Sequence, residues 1–392
     1  MDRGISGEDV VIVAARRTPI GAINGMFKGV PAYALGEAVI KALLKDTGVR
    51  GHEVSEIVLG QIMYAGAGPN PSRQAAMRAG VSKEVVAWGL NQLCGSGMRS
   101  ICLGYQAIRS GDADIVVAGG QENMTRTPHI FPMRGDWERE SARLEDGMFR
   151  DALIDPFYGL HTTGTAENIA RQFHITREEQ DELAADSQNK CEAARKAGRF
   201  DDETVAIDSP GAKPLKNDQI PRDGVTTAVL SRLKPTSAGG TVTAGNSSGI
   251  ADGASAVMLM RRKEADRRKL EPMAAIQSWA QAGVDPAIMG VGPVPACRKA
   301  LTKAGWAAEE LDLIEANESF AAQAIYVNRE MRWDLSKVNV NGGAIALGHP
   351  FGASGARVLT TLLHEMPRRK AKKSLATLCI GGGMGIAMCL AR

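Results

Sequence analysis

The chain has 392 residues, of which 44% are hydrophobic, 23% are charged and 5% are aromatic, and this length favours two or three packed domains over a single core. Its 47 Lys and Arg residues stand against 44 Asp and Glu residues, which gives a net charge of +3. So balanced a charge argues against a nucleic-acid partner and against a membrane surface, and the composition excludes a fibre or a disordered linker.

The N-terminal residues and the hydropathy pattern predict neither export nor membrane insertion. The start, Met1-Asp2-Arg3-Gly4, lacks the charged and then apolar order of a signal peptide. No stretch reaches the roughly 18 consecutive apolar residues that a membrane-spanning helix needs. We therefore expect a cytoplasmic protein.

Short apolar runs alternate with helical stretches along the first part of the chain. Residues 10–14, 56–59 and 115–118 are apolar runs that predict strands, whereas residues 36–45 and 97–108 predict helices. Alternation of this kind is typical of an α/β fold with parallel or mixed strands.

A pattern in the first half of the chain recurs in the second half. Residues 41–57 predict a helix, a glycine turn and a strand, and residues 299–314 repeat that order with similar side chains. Further on, Cys94 and the segment 348–355 each open a helix that is followed by a strand ending in two glycines. The recurrence predicts two duplicated halves whose helix N-termini face a shared cleft, although helix-turn-strand order also recurs by chance in α/β proteins.

The segment between the two copies differs in composition, because it is rich in Pro, Gly and Arg. We expect one isolated amphipathic helix in it, at Arg177–Lys196, with Thr176 and Glu179 as a capping box. A long insertion of this kind is the usual place for a substrate-binding lid. The predicted domains are an N-terminal half at residues 1–120 and 250–271, an inserted loop domain at residues 121–249, and a C-terminal half at residues 272–392.

Cys94 is the first candidate for chemistry. It lies between an apolar run and Gly95-Ser96-Gly97, a pattern typical of a turn that presents a side chain at the start of a helix. The partial positive charge of a helix N-terminus favours the thiolate over the thiol, which makes a cysteine nucleophilic. Taken alone, a free cysteine is more often a small buried hydrophobe than a nucleophile.

Three further residues lie in patterns that suit a reactive site. His349 lies among five glycines between residues 341 and 355, and glycines are usual where backbone passes close to a ligand or to another segment. Cys379 precedes a glycine cluster at a strand end, and Asn317 follows a strand where its amide can hold a water or polarise an oxygen. The alternatives are a structural histidine, a buried cysteine and an asparagine that caps a helix.

The six cysteines show none of the paired spacings that bind zinc. A long chain in a reducing compartment does not need disulfides. We therefore expect no metal site, and individual thiols are free to react.

Four segments closely resemble the signature blocks of the thiolase family, and a fifth extends the match over nearly the whole chain. They are NQLCGSG at residues 91–97, NESFAAQ at 317–323, NGGAIALGHPFGASG at 341–355, CIGGGMG at 379–385 and, as the fifth, GTVTAGNSSG at 240–249. The resemblance implies a five-layered α-β-α-β-α fold, built from duplicated βαβαβαββ halves with an inserted loop domain. It also implies an acyltransferase that makes or breaks a carbon–carbon bond between acyl-coenzyme A units.

The resemblance assigns roles to five residues. Cys94 would be the nucleophile that takes the acyl group as a thioester, and His349 would activate it. His349 and Asn317, the latter through a bound water, would stabilise one thioester oxygen. Cys379 would exchange the α-proton of the second substrate, and the backbone amides of Cys94 and Gly381 would form a second oxyanion hole.

Coenzyme A thioesters would be the substrates, with no metal and no tightly held cofactor. By the same resemblance, the residues that contact coenzyme A are Ser248 and Ala244 along the pantetheine, Arg222 near the nucleotide, and Leu153, His161 and Phe320 in the tunnel.

Three departures from the family pattern leave the acyl preference open. His161-Thr162-Thr163 stands where short-chain members commonly have His-Met-Gly, Ser319 stands where Ala is usual, and Phe351 stands where Ile is common. Condensation of two acetyl-coenzyme A units is the favoured activity. Degradative cleavage of longer or functionalised 3-ketoacyl-coenzyme A is the alternative within the family.

Two alternatives lie outside this activity. A decarboxylating ketoacyl synthase shares the fold, but it usually pairs its cysteine with two histidines or with His and Asn, and Cys379 argues against it. A non-catalytic acyl-coenzyme A-binding protein is expected to have lost the nucleophile or the base. The resemblance further implies a homo-oligomer, either a dimer or a tetramer, and residues 124–150 are where members carry a tetramerisation element.

Overall fold

The apolar runs of the sequence form one mixed sheet with helices on its faces, as a computed structural model describes for residues 6–131, 143–208 and 214–392. The strands are β1 (Val10–Arg17), β2 (Gly21–Ala22), β3 (Glu56–Gly60), β4 (Val86–Leu90), β5 (Ile115–Asn123), β6 (His129–Ile130), β7 (Glu145–Asp146), β8 (Ala251–Arg261), β9 (Ala274–Gly283), β10 (Leu313–Ala316), β11 (Lys373–Ile380) and β12 (Met384–Ala391). The α-helices are α1 (Ala32–Thr47), α2 (Pro71–Arg78), α3 (Ser96–Ser110), α4 (Thr162–Gln172), α5 (Arg177–Lys196), α6 (Thr227–Leu230), α7 (Arg262–Arg268), α8 (Pro293–Ala304), α9 (Ala321–Met331), α10 (Ala344–Leu347) and α11 (Phe351–Arg369).

The two halves of the sheet repeat one strand order. In the first half β3 pairs in parallel with β5, which pairs antiparallel with β8, which pairs antiparallel with β1. In the second half β10, β11, β12 and β9 follow one another with the same orientations. β1 and β9 join the halves through the pairs Val11–Ala275 and Ile12–Ala274. The predicted duplication is confirmed by this repeated topology.

Each half buries its sheet between helices, which gives five layers. α3 and α11 form the central layer, where Ile101 and Leu359 pack with Val116 of β5 and Leu378 of β11. The outer layer of the first half is built on α1, and the outer layer of the second half is built on α8 and α9. The alternation of α and β layers follows from strands that are apolar on both faces and therefore need cover on each side.

Glycines allow the two central helices to approach closely. A Cβ atom on Gly355 would lie 2.4 Å from the backbone nitrogen of Met98, and a Cβ on Gly97 would lie 2.9 Å from that of Ala356. Only glycine fits such a contact. The approach brings the N-terminal ends of α3 and α11 together, and with them the segments that carry Cys94 and His349.

The segment between β5 and β8 contains more structure than the sequence predicted. α5 has the predicted bounds, and its capping box of Thr176 and Glu179 is present. It is not isolated, since α4 and α6 lie in the same segment. The buried side chain of Arg17 on β1 ties this segment to the sheet through ion pairs with Glu203 and Asp218.

Some predictions are not decided by this architecture. The division at residues 120, 249 and 271 remains a prediction. The prediction that the chain has no signal peptide concerns residues 1–5, and the predicted tetramerisation segment includes residues 132–142. Both ranges lie outside the residues that the structure describes. Among the helices that the structure describes, none combines the length and apolar character needed to cross a membrane.

Candidate active site

Cys94 is presented by a tight turn between β4 and α3. Leu93 has a φ of +47°, which is rare for a bulky side chain and costs on the order of 1–3 kcal/mol. The hydroxyl of Ser96 stabilises the turn, because it accepts a hydrogen bond from the Gln92 amide and donates one to the Leu93 carbonyl. The strained backbone points to a side chain held for function rather than for packing.

The sulfur of Cys94 accepts a hydrogen bond from the backbone amide of Gly381. Burial, with a smaller contribution from the nearby Cys379 thiol, raises the pKa of Cys94 to about 12 despite that hydrogen bond. The direction of this pKa shift is opposite to the one expected from a helix N-terminus. Loss of hydration outweighs the partial charge of a helix terminus here.

His349 is buried just before α11. Its Nδ1 lies 2.5 Å from the hydroxyl oxygen of Ser354, and that hydroxyl donates its single hydrogen to the Pro350 carbonyl. We therefore assign Ser354 as the acceptor from Nδ1–H, which leaves the lone pair on Nε2, the nitrogen that the Asn317 NH₂ group faces. Burial, and then the charge of Arg357, lower the pKa of His349 to about 3. The imidazole is neutral, with an acceptor at Nε2.

Asn317 follows β10 and is buried beside His349. Its Nδ2 donates to the Ser319 hydroxyl at 3.1 Å and lies 3.5 Å from His349 Nε2. Its Oδ1 is buried without a hydrogen-bond partner among the described residues, and it is therefore available to a water or a ligand. Asn317 does not cap a helix, because α9 begins at Ala321 and Phe320 is the residue at its cap.

Cys379 lies at the end of β11 and is almost completely buried. Its sulfur donates to the Ser319 hydroxyl at 3.3 Å. Burial raises the pKa of the thiol to about 11, and the hydrogen bond to Ser319 opposes that rise. The turn that follows has two residues with positive φ, Gly382 at +75° and Gly383 at +83°, which explains the glycine cluster.

A narrow, largely apolar cavity of about 130 Å³ opens onto these groups. Its wall contains Cys94, His349 and Gly381, the predicted contacts Leu153, His161, Ser248 and Phe320, and also Thr162, Thr163, Ser319 and Phe351. Cys379 and Asn317 lie behind Ser319, to which both donate hydrogen bonds. Ala244 and Arg222 are exposed and lie outside this wall.

Glu122 is a site residue that the sequence analysis missed. At the end of β5 its carboxylate accepts hydrogen bonds from the backbone amides of Ile62, Met63 and Gly352 at 2.9, 3.2 and 3.0 Å. Burial raises its pKa to about 7, and these three hydrogen bonds oppose the rise. Glu122 thus ties the cavity wall at Ile62 to the start of α11. The sequence feature that could have indicated Glu122 is the polar run Gln121-Glu122-Asn123, which ends the fully buried strand β5.

Ser354 was also missed, although it lies within the quoted segment 341–355. Its contact with His349 depends on the non-helical backbone at Pro350. This backbone directs the imidazole of His349 toward the first turn of α11, where Ser354 lies. No spacing rule for a regular helix would have paired these two residues.

Two thiols, a neutral imidazole and a carboxamide around one cavity, between duplicated α/β halves, define an acyltransferase. The chain belongs to the thiolase family. The model of the thiolase N-terminal domain matches residues 10–263, and that of the thiolase C-terminal domain matches residues 270–392.

Similar proteins cover the whole chain. Acetyl-CoA acetyltransferase of Rhizobium meliloti strain 1021 is 55% identical over 392 residues, which are 99% of this chain and all of that protein. Acetyl-CoA acetyltransferase of Shinella zoogloeoides is 54% identical, over 97% of this chain and 98% of that protein.

Solved structures show the same fold. The Bacillus anthracis acetyl-CoA acetyltransferase superposes with a TM-score of 0.95 at 40% identity, covering 98% of each chain. Human mitochondrial 3-ketoacyl-CoA thiolase in complex with CoA superposes with a TM-score of 0.94 at 40% identity, covering 99% of each chain. The predicted family and fold are confirmed.

Proposed function

We propose that this protein is an acetyl-coenzyme A acetyltransferase, which condenses two acetyl-coenzyme A molecules reversibly to acetoacetyl-coenzyme A and coenzyme A. The observation that carries the proposal is the closeness of two thiols, with Cys94 in the cavity wall and Cys379 directly behind Ser319. The Cys94 sulfur accepts a hydrogen bond from the Gly381 amide. The Cys379 thiol lies close enough to raise the pKa of Cys94. A family member that forms a carbon–carbon bond through an acyl-enzyme needs one nucleophile and one base, and each thiol supplies one of these functions.

In the first half-reaction the Cys94 sulfur forms a bond to the thioester carbon of acetyl-coenzyme A. The bond from that carbon to the coenzyme A sulfur breaks. The Cys94 proton passes to Nε2 of His349, and the Cys379 thiol gives its proton to the departing coenzyme A thiolate. Because the pKa of His349 is lowered and that of Cys94 is raised, this proton moves as the sulfur attacks rather than beforehand.

In the second half-reaction the Cys379 thiolate removes an α-proton from the second acetyl-coenzyme A. The resulting carbanion attacks the acyl carbon on Cys94, and the Cys94 sulfur leaves. The imidazolium of His349 returns the proton to that sulfur. Both thiols and the neutral imidazole are restored, so the atoms and protons balance over the cycle.

Hydrogen-bond donors around the cavity match the charges that develop. The Gly381 amide already points at the Cys94 sulfur, and we assign the amides of Cys94 and Gly381 to the oxygen of the acyl-enzyme. His349 and Asn317, with a water that Asn317 Oδ1 is free to bind, are assigned to the oxygen of the second thioester. Fixed donors in a cavity with little water stabilise such oxyanions strongly.

The same proposal places coenzyme A across the exposed side of the cavity. Ser248 and Ala244 would follow the pantetheine, and Arg222 would face the nucleotide. The exposure of Ala244 and Arg222 suits contacts with a long ligand that extends from the cavity to the surface. The reaction needs no metal and no cofactor beyond the coenzyme A thioesters themselves.

A thiolase acting on longer or functionalised 3-ketoacyl chains is the second candidate. It is favoured by Thr162, Thr163 and Phe351 in the cavity wall and by the similarity to human mitochondrial 3-ketoacyl-CoA thiolase. The small volume of the cavity favours the acetyl group.

The assembly and cellular setting follow from family resemblance alone. We propose a homo-oligomer, either a dimer or a tetramer, which light scattering after size-exclusion chromatography will distinguish. A cytoplasmic location and a place in fatty acid metabolism stay predictions.

The test is a panel of 3-ketoacyl-coenzyme A substrates of increasing chain length, assayed for cleavage by coenzyme A. The proposal predicts the highest kcat/KM for acetoacetyl-coenzyme A. A Phe351→Ala variant, which widens the wall beside His349, should shift the preference toward longer chains. A maximum at long chains in the unchanged protein would favour the second candidate, and no cleavage of any member would contradict both.

A further inference from the structure

Ser319 lies in the short segment between β10 and α9, and its backbone is fixed on both sides. Its carbonyl accepts hydrogen bonds from the Ser248 amide at 3.0 Å and from the Ser248 hydroxyl at 3.1 Å. Its amide donates to Gln323 Oε1 at 3.1 Å. The residue is 4% exposed. The hydroxyl is therefore held at one place in the cavity wall.

Two donors converge on the Ser319 hydroxyl oxygen. Nδ2 of Asn317 lies 3.1 Å away and the sulfur of Cys379 lies 3.3 Å away. An amide NH₂ group only donates, so the hydroxyl oxygen accepts from Asn317 whatever the protonation state of Cys379. The same oxygen accepts from the Cys379 S–H group while that thiol is protonated.

The hydroxyl has one hydrogen of its own, and this hydrogen can rotate. When Cys379 loses its proton, the sulfur becomes an acceptor, and the Ser319 O–H can turn to donate to it. The bond from Asn317 remains in place and polarises the O–H group, which strengthens such a donation. A buried thiolate has little other hydration, so a single donor to it has a large effect.

We propose that Ser319 is a positioning residue that orients the Cys379 sulfur and stabilises the thiolate that forms when Cys379 gives its proton to the departing coenzyme A. The proposal rests on the proposed function of Cys379 as the base. It gives Asn317 a second task, since the same amide that faces His349 also fixes the hydroxyl beside Cys379. Ser319 thereby adjusts the rate of proton transfer at Cys379 rather than making it possible.

The effect of removing the hydroxyl has a defined sign. Burial raises the pKa of Cys379 to about 11, and the hydrogen bond from Ser319 lowers it from what burial alone would give. In Ser319→Ala the thiolate loses that donor. We expect kcat for condensation at neutral pH to fall about twofold to tenfold, the range that loss of one hydrogen bond gives. The KM for acetyl-coenzyme A should stay within about twofold, because the backbone hydrogen bonds that position residue 319 in the wall are kept in the variant.

The chain offers a matched control for this variant. Ser278 forms a side-chain hydrogen bond with the buried Cys389 in the same half of the molecule, and it donates to the Ala300 carbonyl at 2.7 Å. Neither Ser278 nor Cys389 belongs to the cavity wall. Ser278→Ala therefore removes a comparable serine-to-cysteine contact and should leave kcat and its pH profile unchanged.

Two measurements test the proposal. The first is kcat for condensation against pH, where Ser319→Ala should shift the alkaline limb of the profile to higher pH and Ser319→Thr, which keeps the hydroxyl, should reverse part of that shift. The second needs no catalysis: the rate of Cys379 alkylation by iodoacetamide is followed against pH by peptide mass spectrometry, and its midpoint should rise in Ser319→Ala only.

The possible outcomes separate this proposal from the proposed function. If the unchanged protein neither cleaves nor condenses its substrates, the proposed function fails, while the alkylation midpoint still reports on Ser319. If the unchanged protein is active and Ser319→Ala has the same pH profile and the same alkylation midpoint, the positioning role of Ser319 is overturned. A loss of activity without any pH shift, shared by Ser278→Ala, would reduce Ser319 to a packing residue and overturn the role as well.

Discussion

The imidazole of His349 is held by the hydroxyl of Ser354, five residues further along the chain, through a contact of 2.5 Å at Nδ1. Ser354 donates its own hydrogen to the Pro350 carbonyl at 3.0 Å. The direction of these two bonds fixes the tautomer of His349 and leaves Nε2 as the proton acceptor. A positioning residue of this kind typically changes activity by about 10-fold to 100-fold when it is lost.

Replacing Ser354 with alanine should therefore lower kcat about tenfold. The KM for acetyl-coenzyme A should change little, because Ser354 lies behind the imidazole and outside the cavity wall. Steady-state kinetics of acetoacetyl-coenzyme A cleavage measure both quantities. Full activity in Ser354→Ala would show that the tautomer of His349 does not depend on this hydroxyl.

The neutral state of His349 should make the protein less stable in acid. The folded pKa is lowered to about 3 from an ordinary value of 6.5, so below about pH 6.5 the unfolded chain binds a proton that the folded protein does not. The contribution of neutral His349 to the free energy of unfolding is complete above pH 6.5. It falls with decreasing pH, by up to about 1.4 kcal/mol per pH unit.

Urea unfolding of the unchanged protein and of His349→Asn between pH 7 and about pH 5 isolates this contribution. The variant should lose less stability than the unchanged protein over that range. Identical pH dependence in the two proteins would mean that His349 titrates normally in the fold.

Loss of Cys379 should separate the two half-reactions. In Cys379→Ala the nucleophile Cys94 remains, so the protein should still become acetylated, at a reduced rate. Condensation should fall by a factor on the order of 10² to 10⁴, the usual contribution of a general base. Formation of acetoacetyl-coenzyme A measures the loss. The control is Cys389→Ala, which changes a buried cysteine on β12 away from the cavity. An equal loss of condensation in both variants would contradict the assignment of Cys379 as the base.

The ion pairs of Arg17 should contribute strongly to stability. This side chain is fully buried and bonds to Glu203 at 2.5 Å and to Asp218 at 2.7 Å. Arg17→Met leaves both carboxylates without their partner, which costs about 3–5 kcal/mol. The exposed helical pair of Lys41 and Glu37 gives the control Lys41→Met, which should cost no more than about 0.5 kcal/mol. Denaturant unfolding compares them, and similar midpoints for the two variants would contradict this account.

Local patterns predicted much of the fold. The helix Arg177–Lys196 has the bounds that its capping box indicated, because a helix end of this kind depends only on neighbouring residues. The duplication was visible because each half repeats the same order of helix, glycine turn and strand. α4 was missed because it begins at His161-Thr162-Thr163, which has no strong helix formers and lies in a segment whose composition favours loops.

The sequence predicted that four side chains of the site lie close together, whereas their catalytic roles stay predictions and their electrostatics was not predicted. The signature segments located Cys94, His349, Asn317 and Cys379. The raised pKa of Cys94 was not predicted, because the sequence shows a helix start but not the burial around the sulfur. Glu122 reaches Gly352 across the interface of the two halves, and such a contact depends on how the layers pack.

The most direct test of the central claim, that Cys94 carries the acyl group, is intact-mass measurement after mixing with acetyl-coenzyme A. The account predicts an adduct of about 42 Da, the mass of one acetyl group, which is present in Cys379→Ala and absent in Cys94→Ala. An adduct that persists in Cys94→Ala, or an unmodified protein that nonetheless binds coenzyme A, would contradict it.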